Sequence, residues 1–236
     1  MKENLVRIPV NKKEELEGDL QIPAGAKGLV LFAHGSGSSR HSPRNRLIAE
    51  ILQQGGLATL LIDLLTKEEE KQDAITRALR FDIDLLTDRL CFVTKWLHSL
   101  KEGKHLRIGY FGASTGAAAA LCAASEMKKE VSAVVSRGGR PDLARSSLAK
   151  VEAPTLLIVG GFDGQVIGMN EEAYALLKCE KKVVIIPKAT HLFEEPGALE
   201  EVAHLALDWF RAHFLPSCDT ESNSKIGFGP RESSLG

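Results

Sequence analysis

Residues 105–124 read HLRIGYFGASTGAAAALCAA. An apolar run from Leu106 to Phe111 meets Gly112-Ala113-Ser114-Thr115-Gly116 and passes into a block of small, helix-favouring residues. The pattern predicts a strand driven into a tight turn that opens directly into a helix. In such a turn Ser114 takes a strained backbone conformation that pushes its hydroxyl clear of both elements. Gly112 and Gly116 are required because a Cβ at either position would collide with the turn. The start of the following helix sets free N–H groups and the positive end of its dipole beside that hydroxyl, where an oxyanion would form.

Working outward, the chain alternates between two kinds of segment. Upstream, Gly28 to Ala33 is a continuous apolar run of the kind buried on both faces of a sheet, and it ends in the polar loop HGSGSSRHSP, residues 34–43. A helix is expected from Arg44 to Gln54, closed by Gly55-Gly56, followed by a buried strand from Leu57 to Asp63. Residues 4–10 and 17–23 read as a short antiparallel pair. The charged stretch 66–73 reads as a solvated loop or helix start. From 74 to 100 the residues Ile75, Leu79, Ile83, Leu86, Leu90, Val93 and Leu97 recur at helical spacing, with a break near Phe81. Downstream come strands at Val131–Ser136, Thr155–Gly160 and Val183–Ile186, with helices at about 168–179 and from Ala198 to Phe214.

This alternation calls for a mostly parallel sheet with helices on both faces. A single α/β domain is expected over residues 1–215, and the Ser- and Gly-rich stretch 216–236 reads as a disordered tail.

Composition narrows the function. Apolar residues make up 44% of the 236, enough for one substantial core. Thirty basic against 31 acidic side chains leave a net charge of −1, which argues against nucleic acid or an anionic membrane as partner. No stretch has the look of a signal core or a membrane span. Cys91, Cys122, Cys179 and Cys218 form no C-x-x-C pair and read as the reduced thiols of a cytoplasmic protein.

A serine hydroxyl needs a base to remove its proton, and that base is usually a histidine oriented by a carboxylate. In open parallel sheets such groups gather at the C-terminal strand edge. Two later strands end suitably, one running into Gly161-Phe162-Asp163-Gly164 and the other into Lys188-Ala189-Thr190-His191. The order Ser114, Asp163, His191 is the nucleophile–acid–base order of a nucleophile-elbow hydrolase. Asp163 could instead cap the helix that follows, and His191 could be a turn residue. Asp63 is the reserve acid. Oxyanion donors are expected from the N–H of Thr115 and from the loop after Ala33, with Ser36 ahead of Gly37. His34 reads as a structural residue that holds this loop.

The passages LFAHGSGSSRHSPRN (31–45), GYFGASTGAAAA (109–120), VSRGGRPDLA (135–144), IVGGFDGQVI (158–167) and ATHLFEEPGALEEVA (189–203) resemble α/β-hydrolases of the dienelactone-hydrolase-like group. The likeness covers roughly residues 27–214 and is closest to a subgroup of small bacterial hydrolases, some fused to phosphoribosyltransferase domains. It implies an α/β-hydrolase fold and a carboxylesterase-type enzyme, with Ser114 where dienelactone hydrolases proper carry cysteine. The expected reaction is cleavage of a small-molecule carboxylic ester through an acyl-enzyme, without metal or organic cofactor. A thioesterase or lactonase using the same triad is the nearest alternative, and a non-catalytic binding protein on this fold is the alternative from another class.

Only about eighteen residues, 137–154, separate the strand after the elbow helix from the strand that leads to Asp163, so a minimal lid and an open site are expected. Gly37, Arg40, Arg137 and Arg140 are candidate substrate contacts, because arginine forks suit carboxylate or phosphate groups.

Overall fold

In the computed structural model, residues 4–214 are described; the tail expected over 216–236 lies outside them. The buried apolar runs become β3 (Gly28–Ala33), β4 (Ala58–Ile62), β5 (Arg107–Ala113), β6 (Val131–Arg137) and β7 (Thr155–Gly160), with β8 (Lys181–Ile186) at one edge. The two N-terminal strands, β1 (Leu5–Pro9) and β2 (Glu15–Gln21), form an antiparallel pair at the other edge. The sheet order is β1-β2-β4-β3-β5-β6-β7-β8, parallel from β4 through β8.

Alternation along the strands divides the core between the two faces. Val30, Phe32, Phe111, Val135 and Ile158 pack under α1 (Pro43–Gln54) and α7 (Ala198–Phe214). Leu29, Leu31, Tyr110 and Val134 face α3 (Ile83–Ser99) and α4 (Thr115–Glu126). On the first face the rings of Phe210 and Phe214 lie against the sheet at two glycines. A Cβ on Gly109 would come within 2.6 Å of Phe210, and one on Gly28 within 2.0 Å of Phe214. No helix among the described residues is long and apolar enough to cross a membrane.

Three local expectations change. The charged stretch after residue 66 forms a full helix, α2 (Lys67–Thr76), because Thr66 and Glu69 close a reciprocal capping box. Arg77 then turns left-handed at φ 56°, and one 3₁₀ turn (Leu79–Phe81) leads into α3, so the break falls where expected. That break puts Ile75 out of phase with the apolar face, and it is 86% exposed rather than packed with Leu86 and Leu90. Between β6 and β7 a 3₁₀ turn (Pro141–Ala144) runs into α5, a single helical turn (Arg145–Leu148). The following helix, α6 (Gly164–Leu176), starts four residues earlier than its sequence pattern suggests.

Candidate active site

Ser114 joins β5 directly to α4 at φ 50°, ψ −121°, a conformation that non-glycine residues seldom adopt. The surrounding backbone fixes it from two sides. Ser114 donates its N–H to Arg137 O at 3.3 Å, and Arg140 donates its N–H to Ser114 O at 3.1 Å. A Cβ on Gly112 would lie 2.4 Å from the Cα of Ala117, so the turn itself demands that glycine. At Gly116 the demand comes from elsewhere: the Cβ would lie 2.2 Å from Ala33 O and 2.5 Å from His34 O. The second glycine thus lets α4 press against the end of β3 and brings the loop after β3 beside Ser114.

The loops after β7 and β8 are equally close to one another. Gly161 donates its N–H to Ile186 O and Phe162 donates to Ala189 O. Asp163 occupies the N-cap position of α6 but makes no side-chain cap bond. Its carboxylate is instead 2.6 Å from His191 Nδ1. An ionised carboxylate only accepts, so Nδ1 carries the proton and Nε2 is left with a free lone pair. Phe193, buried two residues beyond His191, anchors the same loop in the core. Ser114 and His191 line one cavity of about 220 Å³, together with Ser36, Ser42, Arg44 and Arg137.

Three sets of hydrogen bonds hold the first part of the loop after β3, residues 34–38. Ser38 N–H closes a turn onto Gly35 O, with Gly37 at φ 72°. His34 Nδ1 is 2.9 Å from Gly35 O and its Nε2 accepts the Leu64 N–H at 3.2 Å, which fits the structural role read from the sequence. Burial holds the His34 pKa below its usual value. Thirdly, Ser36 donates its N–H to Thr115 Oγ1 at 2.9 Å. The acceptor of the Ser36 amide is thus the side chain of the residue paired with it in the sequence reading. Thr115 occupies the first position of α4, so its own N–H has no partner within the helix. Gly37 lines a neighbouring cavity of about 200 Å³ on the far side of this loop, with Leu64, Leu65, Glu70 and Arg80. Burial, with Asp63 nearby, raises the Glu70 pKa.

The arginines separate sharply, and two of the expected substrate contacts are corrected. Arg40 pairs with Asp63 through both its guanidinium and its N–H, the latter at 2.8 Å, and with Glu17 at 2.8 Å. The reserve acid Asp63 is thereby committed to the loop. Arg140 forms a two-pronged pair with Asp142 at 2.8 and 2.9 Å, and lies outside the cavity lining. Arg137 differs from both. It lines the cavity, is 7% exposed, and its Nε and Nη1 are buried without a hydrogen-bond partner. Its guanidinium carbon lies 5.9 Å from the centroid of the Phe193 ring. Desolvation, with a smaller contribution from the charge of Arg44, pulls its pKa down to about 10, so it stays charged at neutral pH. Among the described residues no three His, Cys, Asp or Glu side chains converge as metal ligands.

A parallel sheet that delivers a strained serine, a histidine and an aspartate to one strand edge defines an α/β-hydrolase. The comparisons give the family. The dienelactone hydrolase family model matches residues 16–214, and the chain belongs to that family. A dienelactone hydrolase from Anabaena variabilis shares 62% identity and superposes with a TM-score of 0.88 over 90% of this chain and 98% of its own. Est1E from Butyrivibrio proteoclasticus has the same fold at 16% identity, with a TM-score of 0.73 over 89% and 98% of the two chains. A Mycobacterium tuberculosis protein provisionally named a phosphoribosyl transferase is 57% identical over 196 residues, 83% of this chain. The chain spans only 43% of that relative's length.

Proposed function

We propose that the protein hydrolyses carboxylic esters through an acyl-enzyme on Ser114. The observation that carries this reading is the 2.6 Å contact of His191 with Asp163, His191 lining the same cavity as the strained Ser114. With its proton fixed on Nδ1, the imidazole has Nε2 available to take the serine's proton as the hydroxyl attacks the carbonyl carbon. The resulting imidazolium is stabilised by Asp163 and passes the proton to the departing alkoxide. Water, activated by the same Nε2, then cleaves the acyl-serine. The tetrahedral oxyanion is assigned to the N–H groups of Thr115 and Ser36. The Ser36 N–H leaves the neutral Thr115 hydroxyl for a charged oxygen, which makes the stronger hydrogen bond.

The name of the Anabaena variabilis neighbour extends the reading to lactones, which the same steps would open as cyclic esters. The transferase name belongs to a relative more than twice as long as the matched region, and the reading here follows the family match instead.

The test is hydrolysis of p-nitrophenyl acetate, butyrate and octanoate by the wild type and by Ser114→Ala, His191→Ala and Asp163→Asn. Each variant is expected to lose about three to six orders of magnitude in kcat. The short segment 138–154 between β6 and β7 favours the shorter esters. Variants that match the wild type, together with a serine inert to fluorophosphonate, would leave a binding protein on a hydrolase scaffold.

A further inference from the structure

Among the described residues, Arg137 has no carboxylate paired with its guanidinium. Burying a guanidinium is costly unless it is paired, and buried arginines are normally matched to carboxylates. Arg40, enclosed at 13% exposure, follows that rule with Asp63 and Glu17, and even the more exposed Arg140 is paired, with Asp142. Arg137 has neither a carboxylate nor a hydrogen-bonded carbonyl on its buried Nε and Nη1, and it opens onto the cavity that holds Ser114.

A second cation stands beside it. Arg44 lines the same cavity, near enough for its charge to bear on Arg137, and its Nε is also buried and unpartnered. Its carboxylate partner, Glu194, meets it at 3.2 Å at the surface, where the Glu194 side chain is 62% exposed; such a pair is weak and readily exchanged. Ser36, Ser38 and Ser42 add hydroxyl groups to the lining, and Ser42 caps the start of α1, whose dipole points its positive end the same way.

We propose that the physiological substrate is an ester carrying a phosphate group, which Arg137 and Arg44 hold beside Ser114. This rests on the serine-hydrolase reading and names its substrate class. A carboxylate has two oxygens and one charge, and a single guanidinium satisfies it. A phosphate monoester brings three terminal oxygens and a charge of about −1.5 to −2, enough to engage both guanidinium groups and the serine hydroxyls. The cavity of about 220 Å³ suits a compact polar group.

Two measurements on the whole chain test this. The first is the midpoint of thermal unfolding with inorganic phosphate, sodium chloride serving as the ionic-strength control. Phosphate is expected to raise the wild-type midpoint, with little response in Arg137→Gln and a reduced one in Arg44→Gln. The second compares p-nitrophenyl esters of 3-phosphonopropanoate, succinate and butyrate. The wild type is expected to favour the phosphonate ester, and Arg137→Gln to lower the phosphonate-to-butyrate ratio of kcat/KM by roughly 100-fold, with partial recovery in Arg137→Lys. If Arg137→Gln does not fold, the same ratio in Arg44→Gln, expected to fall about tenfold, decides. No phosphate-specific shift in the wild type, or a wild-type preference for the succinate or butyrate ester, overturns the proposal. A phosphate shift that depends on Arg137 in a protein whose Ser114 resists fluorophosphonate would keep the anion site and refute the serine-hydrolase reading on which its role depends.

Discussion

His34 shows how one buried side chain makes the site depend on pH. Its Nε2 must stay unprotonated to accept the Leu64 N–H, and burial lowers its pKa accordingly. The unfolded chain titrates near 6.5, so below that pH it binds a proton that the folded chain resists. The His34 contribution to stability is therefore complete above about pH 6.5 and is lost as the pH falls through that value. Urea midpoints at pH 7.5 and 5.0 should show a larger acid loss for the wild type than for His34→Gln, whose amide oxygen accepts the same N–H at both pH values. Equal losses would remove His34 from the acid response.

At the scale of elements, the loop between β3 and α1 is fastened to β2 and β4 by charge. Arg40 sits among Asp63, Glu17 and Asp19, with the side chains of all four 10–13% exposed. Arg46 and Lys67 hold the outer sides of Asp19 and Glu17. Removing the central guanidinium leaves three carboxylates facing one another, and breaking such an enclosed pairing costs about 3–5 kcal/mol. Arg40→Gln is expected to lose stability of that order in urea while the ratio of kcat/KM between anionic and neutral esters stays at the wild-type value. A selective loss on anionic esters would return Arg40 to the substrate, where the sequence alone had placed it.

For the whole molecule, α7 is the cover of one sheet face. It meets the sheet through Phe210 and Phe214, whose rings lie where Gly109 and Gly28 leave the strands bare. The two rings stack with centroids 5.4 Å apart, so the end of the helix and the middle of the sheet form one packed layer. Phe210→Ala would leave a cavity over β5, the strand that carries the elbow, and is expected to destabilise the protein by about 3–5 kcal/mol in urea denaturation. A loss below about 1 kcal/mol would mean that the layer closes over the gap.

The order of strands and helices, the elbow at Ser114 and the positions of Asp163 and His191 were legible in the sequence, because each is set by short-range chemistry. Continuous apolar runs give buried parallel strands, Gly-x-Ser-x-Gly gives the turn, and polar residues just past strand ends fall on one edge of a parallel sheet. Side-chain partners were not legible. Asp163 sits where it could cap α6, yet its carboxylate turns to His191, 28 residues away. Ser36 gives its N–H to a hydroxyl 79 residues on, and Arg40 finds its carboxylates on β2 and at the end of β4. Arg40, Arg137 and Arg140 have the same chemistry and similar loop positions in the sequence. Which of them stays unpaired in the cavity depends on where distant acids lie in space, so only the tertiary structure decided it.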